Sequence, residues 1–148
     1  MIALLQRVSH AKVEVGQQCI GRIGQGLLVF LGVEKEDTQH SAQQLLQRVL
    51  GYRVFEDRSG RMNHSLVEAD GGLLIVPQFT LAADTRKGRR PGFSTAAPPD
   101  KGQRLFEYFT ALARQAHHTV ASGKFGANMQ VSLTNDGPVT FWLQSRVS

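Results

Sequence analysis

From Ile2 to Val33 the chain carries short runs of Val, Ile and Leu separated by Gly16, Gly21, Gly24, Gly26 and Gly32. Within Ala11-Lys12-Val13-Glu14-Val15 apolar and polar side chains alternate. A period of two marks a half-buried strand, because successive side chains point to opposite faces. The spacing predicts a meander of three or four antiparallel strands. Then the period changes. Ala42, Leu45, Leu46, Val49 and Leu50 recur at helical spacing and form one apolar stripe. Asp37-Thr38 offers an N-cap, since a short polar side chain can accept from the free N–H groups of a first turn. Gly51 stands where a left-handed C-terminal cap is expected. A second helix is predicted from about Asp100 to His117, opened by Pro98-Pro99-Asp100. It places Leu105, Tyr108, Phe109, Leu112 and Ala116 on one face.

Strand character returns in Gly72-Leu73-Leu74-Ile75-Val76, a continuous apolar run expected to be buried on both faces. It returns again in Met129-Gln130-Val131-Ser132-Leu133 and in Val139-Thr140-Phe141-Trp142-Leu143. These last two are joined by Asn135-Asp136-Gly137-Pro138, strong turn chemistry. Two clusters of strands with two main helices predict an α+β fold, mostly antiparallel, with helices packed on one face of the sheet. No linker, repeat or low-complexity tract divides residues 1–148, so a single domain is expected.

Composition narrows the class. With 148 residues, 41% hydrophobic and 20% charged, the chain can bury a core, which excludes a disordered protein. Its one cysteine, Cys19, has no partner in the chain, which excludes a disulfide scaffold. The start MIALLQRVSH lacks the basic opening and long apolar run of a secretory leader, so a cytoplasmic location is expected. The most apolar stretch, Leu27 to Val33, falls far short of the roughly 20 residues that span a bilayer, and no membrane contact is expected.

Lys and Arg number 17 against 12 Asp and Glu, a formal charge of +5. Arg86, Lys87, Arg89 and Arg90 concentrate that charge in a segment whose Gly and Pro argue for an exposed loop. Read alone, this is a solvated basic loop. Beside a nucleic-acid site it becomes a phosphate contact, because Lys and Arg gain by displacing phosphate counterions.

Several chemistries drop out. His10, His40, His64, His117 and His118 lack the spacing of a zinc site, and His117-His118 reads as a surface pair at a helix end. No Gly-x-Gly-x-x-Gly and no Lys-Ser/Thr after Gly21–Gly26 speaks for a nucleotide cofactor. No Gly-x-Ser-x-Gly elbow speaks for a serine hydrolase. Two polar segments remain. In Val76-Pro77-Gln78-Phe79-Thr80-Leu81 an apolar strand ends in Gln and Thr, and free N–H groups past a strand end can hold an oxyanion. In Asn135-Asp136-Gly137-Pro138-Val139-Thr140 the Gly-Pro bond can be cis at modest cost. Taken singly, the first also reads as a polar loop and the second as a hairpin turn.

Together the two segments resemble the D-aminoacyl-tRNA deacylases, a family marked by Ser-Gln-x-Thr and Asn-x-Gly-Pro-Val-Thr. Here the motifs stand as Pro77-Gln78-Phe79-Thr80 and Asn135-Asp136-Gly137-Pro138-Val139-Thr140. The likeness extends through Met1–Val8, Gly26–Val33, Leu81–Thr85, Met129–Leu133 and Phe141–Gln144, nearly the whole chain. It implies a β-β-α layered sandwich and a cytoplasmic homodimer, free of metal and cofactor, with each active site at the subunit interface. The implied activity is translation quality control: hydrolysis of the ester at the 3′ acceptor end of D-aminoacyl-tRNA, with glycine tolerated and L residues rejected. Gln78, Phe79 and Thr80 would position water and hold the oxyanion. Gly137 and Pro138, joined by a cis bond, would reach into the partner's pocket as the chiral filter. Arg7 and Asn135 would support that loop, and Arg86, Lys87, Arg89 and Arg90 would contact tRNA. Pro77 departs from the family's Ser and matches a related deacylase that clears L-alanine. The alternatives are therefore a relaxed deacylase of Gly- or L-Ala-tRNA and a non-catalytic RNA-binding module. Gln78, Thr80 and Gly137-Pro138 speak against the module, since binding alone does not need them.

Overall fold

In the computed structural model, which describes residues 1–145, a long first strand organises the chain. This strand, β1 (Ile2–Val15), pairs antiparallel with β8 (Gln130–Gln144) along its whole length. On its other edge, residues 2–8 pair with β3 (Gly26–Gly32) and residues 11–15 with β2 (Gln18–Ile23), both antiparallel. The simple meander expected from the sequence is therefore corrected. β2 and β3 do not follow one another across the sheet; they share successive halves of one edge of β1. Beyond β3 the pairing turns parallel, to β6 (Gly72–Pro77) and then β7 (Val120–Ser122). Parallel neighbours need a long crossover, and between β3 and β6 the chain passes through α1 (Gln39–Gly51), the ribbon β4 (Phe55–Glu56) and β5 (Met62–His64), and α2 (Leu66–Ala69). The longest helix, α3 (Pro99–Ala116), joins a 3-10 turn at Phe79–Ala82 to β7. The result is a mixed α+β fold with strands dominant, as the patterning predicts.

Side-chain alternation splits the interior into two clusters. Leu27, Val29, Leu31, Leu73 and Ile75 pack with residues of α1 and α3, while Leu28, Leu74 and Val76 pack with other strand residues and Met129. Since neighbours along a strand face opposite ways, the clusters lie on opposite faces of β3 and β6. This is why Leu73–Val76 is apolar at every position. Along β1 the alternation is reset once: Ala3 and Leu5 belong to the first cluster, and Val8, Ala11 and Val13 to the second. Ser9 causes it. Val8 pairs with Asn135 and His10 with Thr134, so β1 carries one extra residue and its parity inverts, a β-bulge.

The α1 stripe is buried as patterned, with Leu50 half-buried at its edge. Thr38 caps the helix and exchanges hydrogen bonds with Ser41. Asp37 does not cap: buried, it accepts from the Met1 amino group at 2.7 Å and from the Glu34 N–H at 2.6 Å. Gly51 is the last helical residue, followed by extended Tyr52, so no left-handed cap forms there. In α3 the buried face includes Phe106 and Ala113, and Ala116 is exposed. His117, expected at the surface, is buried and bonds through Nε2 to the Gly71 carbonyl at 2.6 Å, leaving only His118 exposed, beside Asp70. Among the described residues no helix is long and apolar enough to cross a membrane.

The sharpest departure concerns the Asn135–Pro138 turn. The chain does not reverse there. Both flanks pair with β1 in one direction, so the segment is a bulge inside β8. Between the pairs Gln6–Thr140 and Val8–Asn135, β1 contributes Arg7 alone while β8 contributes residues 136–139.

The backbones of β3 and β6 leave no room for a side chain where Gly26 meets Gly72. A Cβ on Gly26 would stand 1.9 Å from the Gly72 carbonyl oxygen. Neither backbone can retreat without breaking the parallel ladder. Gly26→Ala is expected to cost at least about 2 kcal/mol in chemical denaturation; unchanged stability would show that the two strands can separate there.

Candidate active site

β6 stops at Pro77, which has no N–H to extend a ladder. The next residue, Gln78, donates its backbone N–H to Leu31 at 2.8 Å, which fixes the start of the 3-10 turn against the end of β3. Gly32 permits this contact: a Cβ there would stand 2.9 Å from that of Leu81. Gln78 is half-buried, while Phe79 and Thr80 are exposed. The Gln78 amide Nε2 donates to Thr80 Oγ1. Thr80 is thus oriented by a donor, and an amide nitrogen cannot take its proton. Gln78 makes no side-chain cap on the N–H groups at the start of the turn.

Beside this turn lies a cavity of about 450 Å³. Its walls come from Gln78, Phe79, Phe106, Phe125, Met129, Val131 and further apolar residues, and none of the lining side chains is ionisable. Among the described residues no three His, Cys, Asp or Glu side chains gather as a metal site would require. The polar groups the lining residues themselves offer are backbone dipoles and the Gln78 amide, which holds the Thr80 hydroxyl beside the cavity.

The basic loop leaves directly from the turn. Asp84 and Gly92 exchange backbone hydrogen bonds of 2.7 and 2.9 Å, closing it at the base. Arg86 folds back on Asp84 with two guanidinium contacts of 2.9 Å and a backbone N–H contact of 3.1 Å. Chiefly through the guanidinium, these hold the Asp84 carboxyl down at about 2. Lys87, Arg89 and Arg90 carry the remaining charge at the exposed surface of the loop.

The other predicted residues gather elsewhere. The Arg7 side chain, 6% exposed, donates from Nε to the Asp136 carbonyl at 2.9 Å and from Nη1 to the Val54 carbonyl at 2.7 Å. Asn135 closes the bulge with its amide: Nδ2 donates to the carbonyls of Arg7 at 2.9 Å and Val139 at 3.0 Å, and Oδ1 accepts from the Val139 N–H at 3.2 Å. This side chain replaces the strand pairing that the bulge interrupts. The Gly137–Pro138 peptide is cis, and both residues are exposed. A Cβ on Gly137 would stand 2.3 Å from the Val139 nitrogen, so only glycine fits.

Neither Gly137 nor Pro138 lines the cavity of their own chain. Arg7 pairs with Leu27 at one end of β3, and Pro77 with Leu31 at the other. Four residues along a strand span about 13 Å, and the three spacings from β8 to β6 add about 14 Å across. Within one chain the Gly137–Pro138 loop and the turn after Pro77 are therefore too far apart to meet on one small ligand. Sequence reasoning missed Val54, the cavity walls Phe106, Phe125 and Met129, and Phe93, whose ring rests on Phe79. Only spatial neighbourhood identifies them, since each reads as an ordinary core or loop residue.

A family model described as D-Tyr-tRNA(Tyr) deacylase matches residues 4–144. Over 144 residues the chain is 58% identical to a D-aminoacyl-tRNA deacylase of Cronobacter sakazakii, covering 97% of this chain and 99% of that one. It is also 58% identical, over 151 residues and 99% of each chain, to a D-aminoacyl-tRNA deacylase of Burkholderia mallei. A solved structure described as a c-Myc DNA unwinding element binding protein superposes with a TM-score of 0.95 at 39% identity, over 99% of this chain and 100% of that one. A probable eukaryotic D-amino acid tRNA deacylase superposes with a TM-score of 0.84 over 96% and 97% of the chains; at 21% identity this likeness speaks for the fold alone.

The Asp84–Arg86 clasp has a definite pH window. A carboxyl held below its ordinary value of 3.8 contributes its full stabilisation above that pH and loses it as pH falls through about 2. Side-chain NMR titration is expected to place the Asp84 carboxyl near 2, and Arg86→Gln to return it towards 3.8. A midpoint unmoved by the substitution would show that the guanidinium does not hold it.

Proposed function

The chain belongs to the D-Tyr-tRNA(Tyr) deacylase family, and on that premise we propose that it hydrolyses the ester of D-aminoacyl-tRNA, releasing the free D-amino acid and tRNA. The observation that carries this reading is the cavity beside Gln78 and Thr80, without a single ionisable side chain in its wall. Such a site suits a substrate that is already activated. An aminoacyl ester needs a placed water and a stabilised oxyanion more than a strong protein base.

In this reading the terminal nucleoside enters the apolar cavity, whose aromatic and Met walls suit a flat heterocycle, and the ester carbonyl meets the start of the 3-10 turn. Water attacks the carbonyl carbon, the oxyanion accepts from the N–H of Phe79 or Thr80, and the ester bond to the ribose oxygen breaks. The proton lost by the water ends on that oxygen, and the neighbouring 2′-hydroxyl of the ribose supplies the assistance that no side chain offers. Thr80, held by Gln78, positions the reactants and is not a nucleophile.

Selectivity requires a second copy of the chain. The Gly137–Pro138 loop stands exposed, braced by Arg7 and Asn135, and remote from its own cavity. Placed in the partner's cavity, its carbonyls would hold the substrate amino group, and its backbone would collide with an L side chain while leaving D residues and glycine free. A surface for that dimer is at hand. Leu4 pairs across the strands with both Phe30 and Trp142, so all three share one face; Trp142 is 52% exposed, and Gln6 bonds Thr140 beside them. The two opposed apolar clusters support a β-β-α layering of each subunit. Lys87, Arg89 and Arg90, with the outer face of Arg86, would meet acceptor-end phosphates, which position a substrate without reading its sequence.

The test is release of D-Tyr, L-Tyr and Gly from their charged tRNAs at equal, low enzyme concentration. Loss of D-Tyr and Gly with L-Tyr intact is expected. Loss of L-Tyr as well would mean a relaxed enzyme, to which Pro77 points, and no loss at all would leave a nucleic-acid-binding module. Thr80→Ala should lower kcat roughly a hundredfold with little change in tRNA binding. An unchanged kcat would mean that the backbone works without the hydroxyl.

A further inference from the structure

Two large aromatic rings stand in water at the rim of the cavity. Phe79 is 58% and Phe93 45% exposed, yet their rings pack on each other with centroids 5.4 Å apart, tilted by 41°. No core holds them there. Phe79 opens the 3-10 turn, and Phe93 follows Gly92, which is tied to Asp84 by two backbone hydrogen bonds. Two residues on, Thr95 Oγ1 donates to the Ala82 carbonyl at 2.6 Å. Both limbs of the basic loop are thus pinned at the aromatic pair, and the loop carries the exposed cations Lys87, Arg89 and Arg90. Of the loop's four cations Arg86 is spent inside it, on Asp84.

We infer that Phe79 and Phe93 form a stacking platform for an unpaired base of the RNA strand, the nucleotide preceding the one whose aminoacyl group is cleaved. A rigid aromatic face beside a cationic loop is the combination that binds single-stranded nucleic acid, because every base offers a π-face and every linkage a phosphate. The platform needs no hydrogen-bonding partner for the base edge, so it grips without reading sequence. It continues the cavity outward, since Phe79 belongs to both. Phe93 touches no reacting atom; it belongs to strand recognition. The inference rests on the proposed reading of the cavity as the seat of the terminal aminoacylated nucleoside.

Two esters separate the platform from the chemistry: D-Tyr on an RNA trinucleotide ending in CCA, and D-Tyr on adenosine alone. For Phe93→Ala the ratio of kcat/KM on the trinucleotide to that on adenosine should fall roughly tenfold, through KM. Phe93→Trp should restore the ratio and Phe93→Leu should not. An equal loss on both esters would make Phe93 a brace for the turn and overturn the platform, as would no loss on either. If the wild-type protein hydrolyses neither ester, release from D-Tyr-tRNA decides the deacylase reading, and anisotropy with uncharged, labelled CCA trinucleotide decides the platform by itself. Weaker binding by Phe93→Ala would then support it, and equal binding would overturn it.

Discussion

A guanidinium buried in a sheet dictates much of this structure. Arg7 lies in β1 among Leu5, Val8 and the apolar cores, 6% exposed, with a charge that it cannot lose. An unpaired charge in that place would cost several kcal/mol, so its donors must find acceptors. They find the Val54 carbonyl on the way to the ribbon and the Asp136 carbonyl in β8. Opposite Arg7, β8 leaves the ladder for four residues and Asn135 spans the gap. The exposed Gly137–Pro138 loop is tied to that arrangement, with the Arg7 guanidinium bonded to the Asp136 carbonyl at its base.

The turn after Pro77 arises from a different constraint. Strands β3 and β6 run parallel and are apolar on both faces, so polar groups appear only where the pair ends. Pro77 ends it, and the 3-10 turn that follows sets Gln78 in the wall of an apolar cavity with Thr80 bonded to it. Because the loop and the turn stand at opposite ends of β3, one chain cannot bring both to one substrate. In the proposed reading, a site without ionisable side chains and a filter made of backbone belong together: shape would do the discriminating, and the substrate ester would supply the reactivity.

The elements with regular periodicity were legible from residues alone. The α1 stripe, the proline-opened α3 and the doubly buried run Leu73–Val76 all stand where the pattern puts them. The antiparallel β1–β2 pair was legible too, but two inferences about which strand lies next to which failed. Asn-Asp-Gly-Pro has real turn chemistry, and Asn135 does bond Val139, but pairing of both flanks with β1 converts the turn into a bulge. The expected meander failed likewise, because β1 is long enough to serve β2 and β3 in succession. His117 shows the limit of reading a polar residue as exposed: one carbonyl, that of Gly71, suffices to bury it. The Ser65–Glu68 capping box that starts α2 was there to be read, and the three-residue β7 was not. Of the candidate site, the two motif segments were legible through family resemblance. Their separation within one chain, the role of Val54 and the Phe79–Phe93 pair are tertiary facts.

Whether the cavity of one chain is completed by the loop of another can be tested in mixed dimers. One chain carries Gln78→Ala and Thr80→Ala with an intact loop; the other carries Gly137→Ala, whose Cβ would deform the loop, with an intact cavity. Purified through different tags, the mixed dimer should hydrolyse D-Tyr-tRNA and spare L-Tyr-tRNA, although the Gly137→Ala homodimer attacks both. If the mixed dimer still hydrolyses L-Tyr-tRNA at half the rate of that homodimer, the loop guards its own chain and the shared site does not exist.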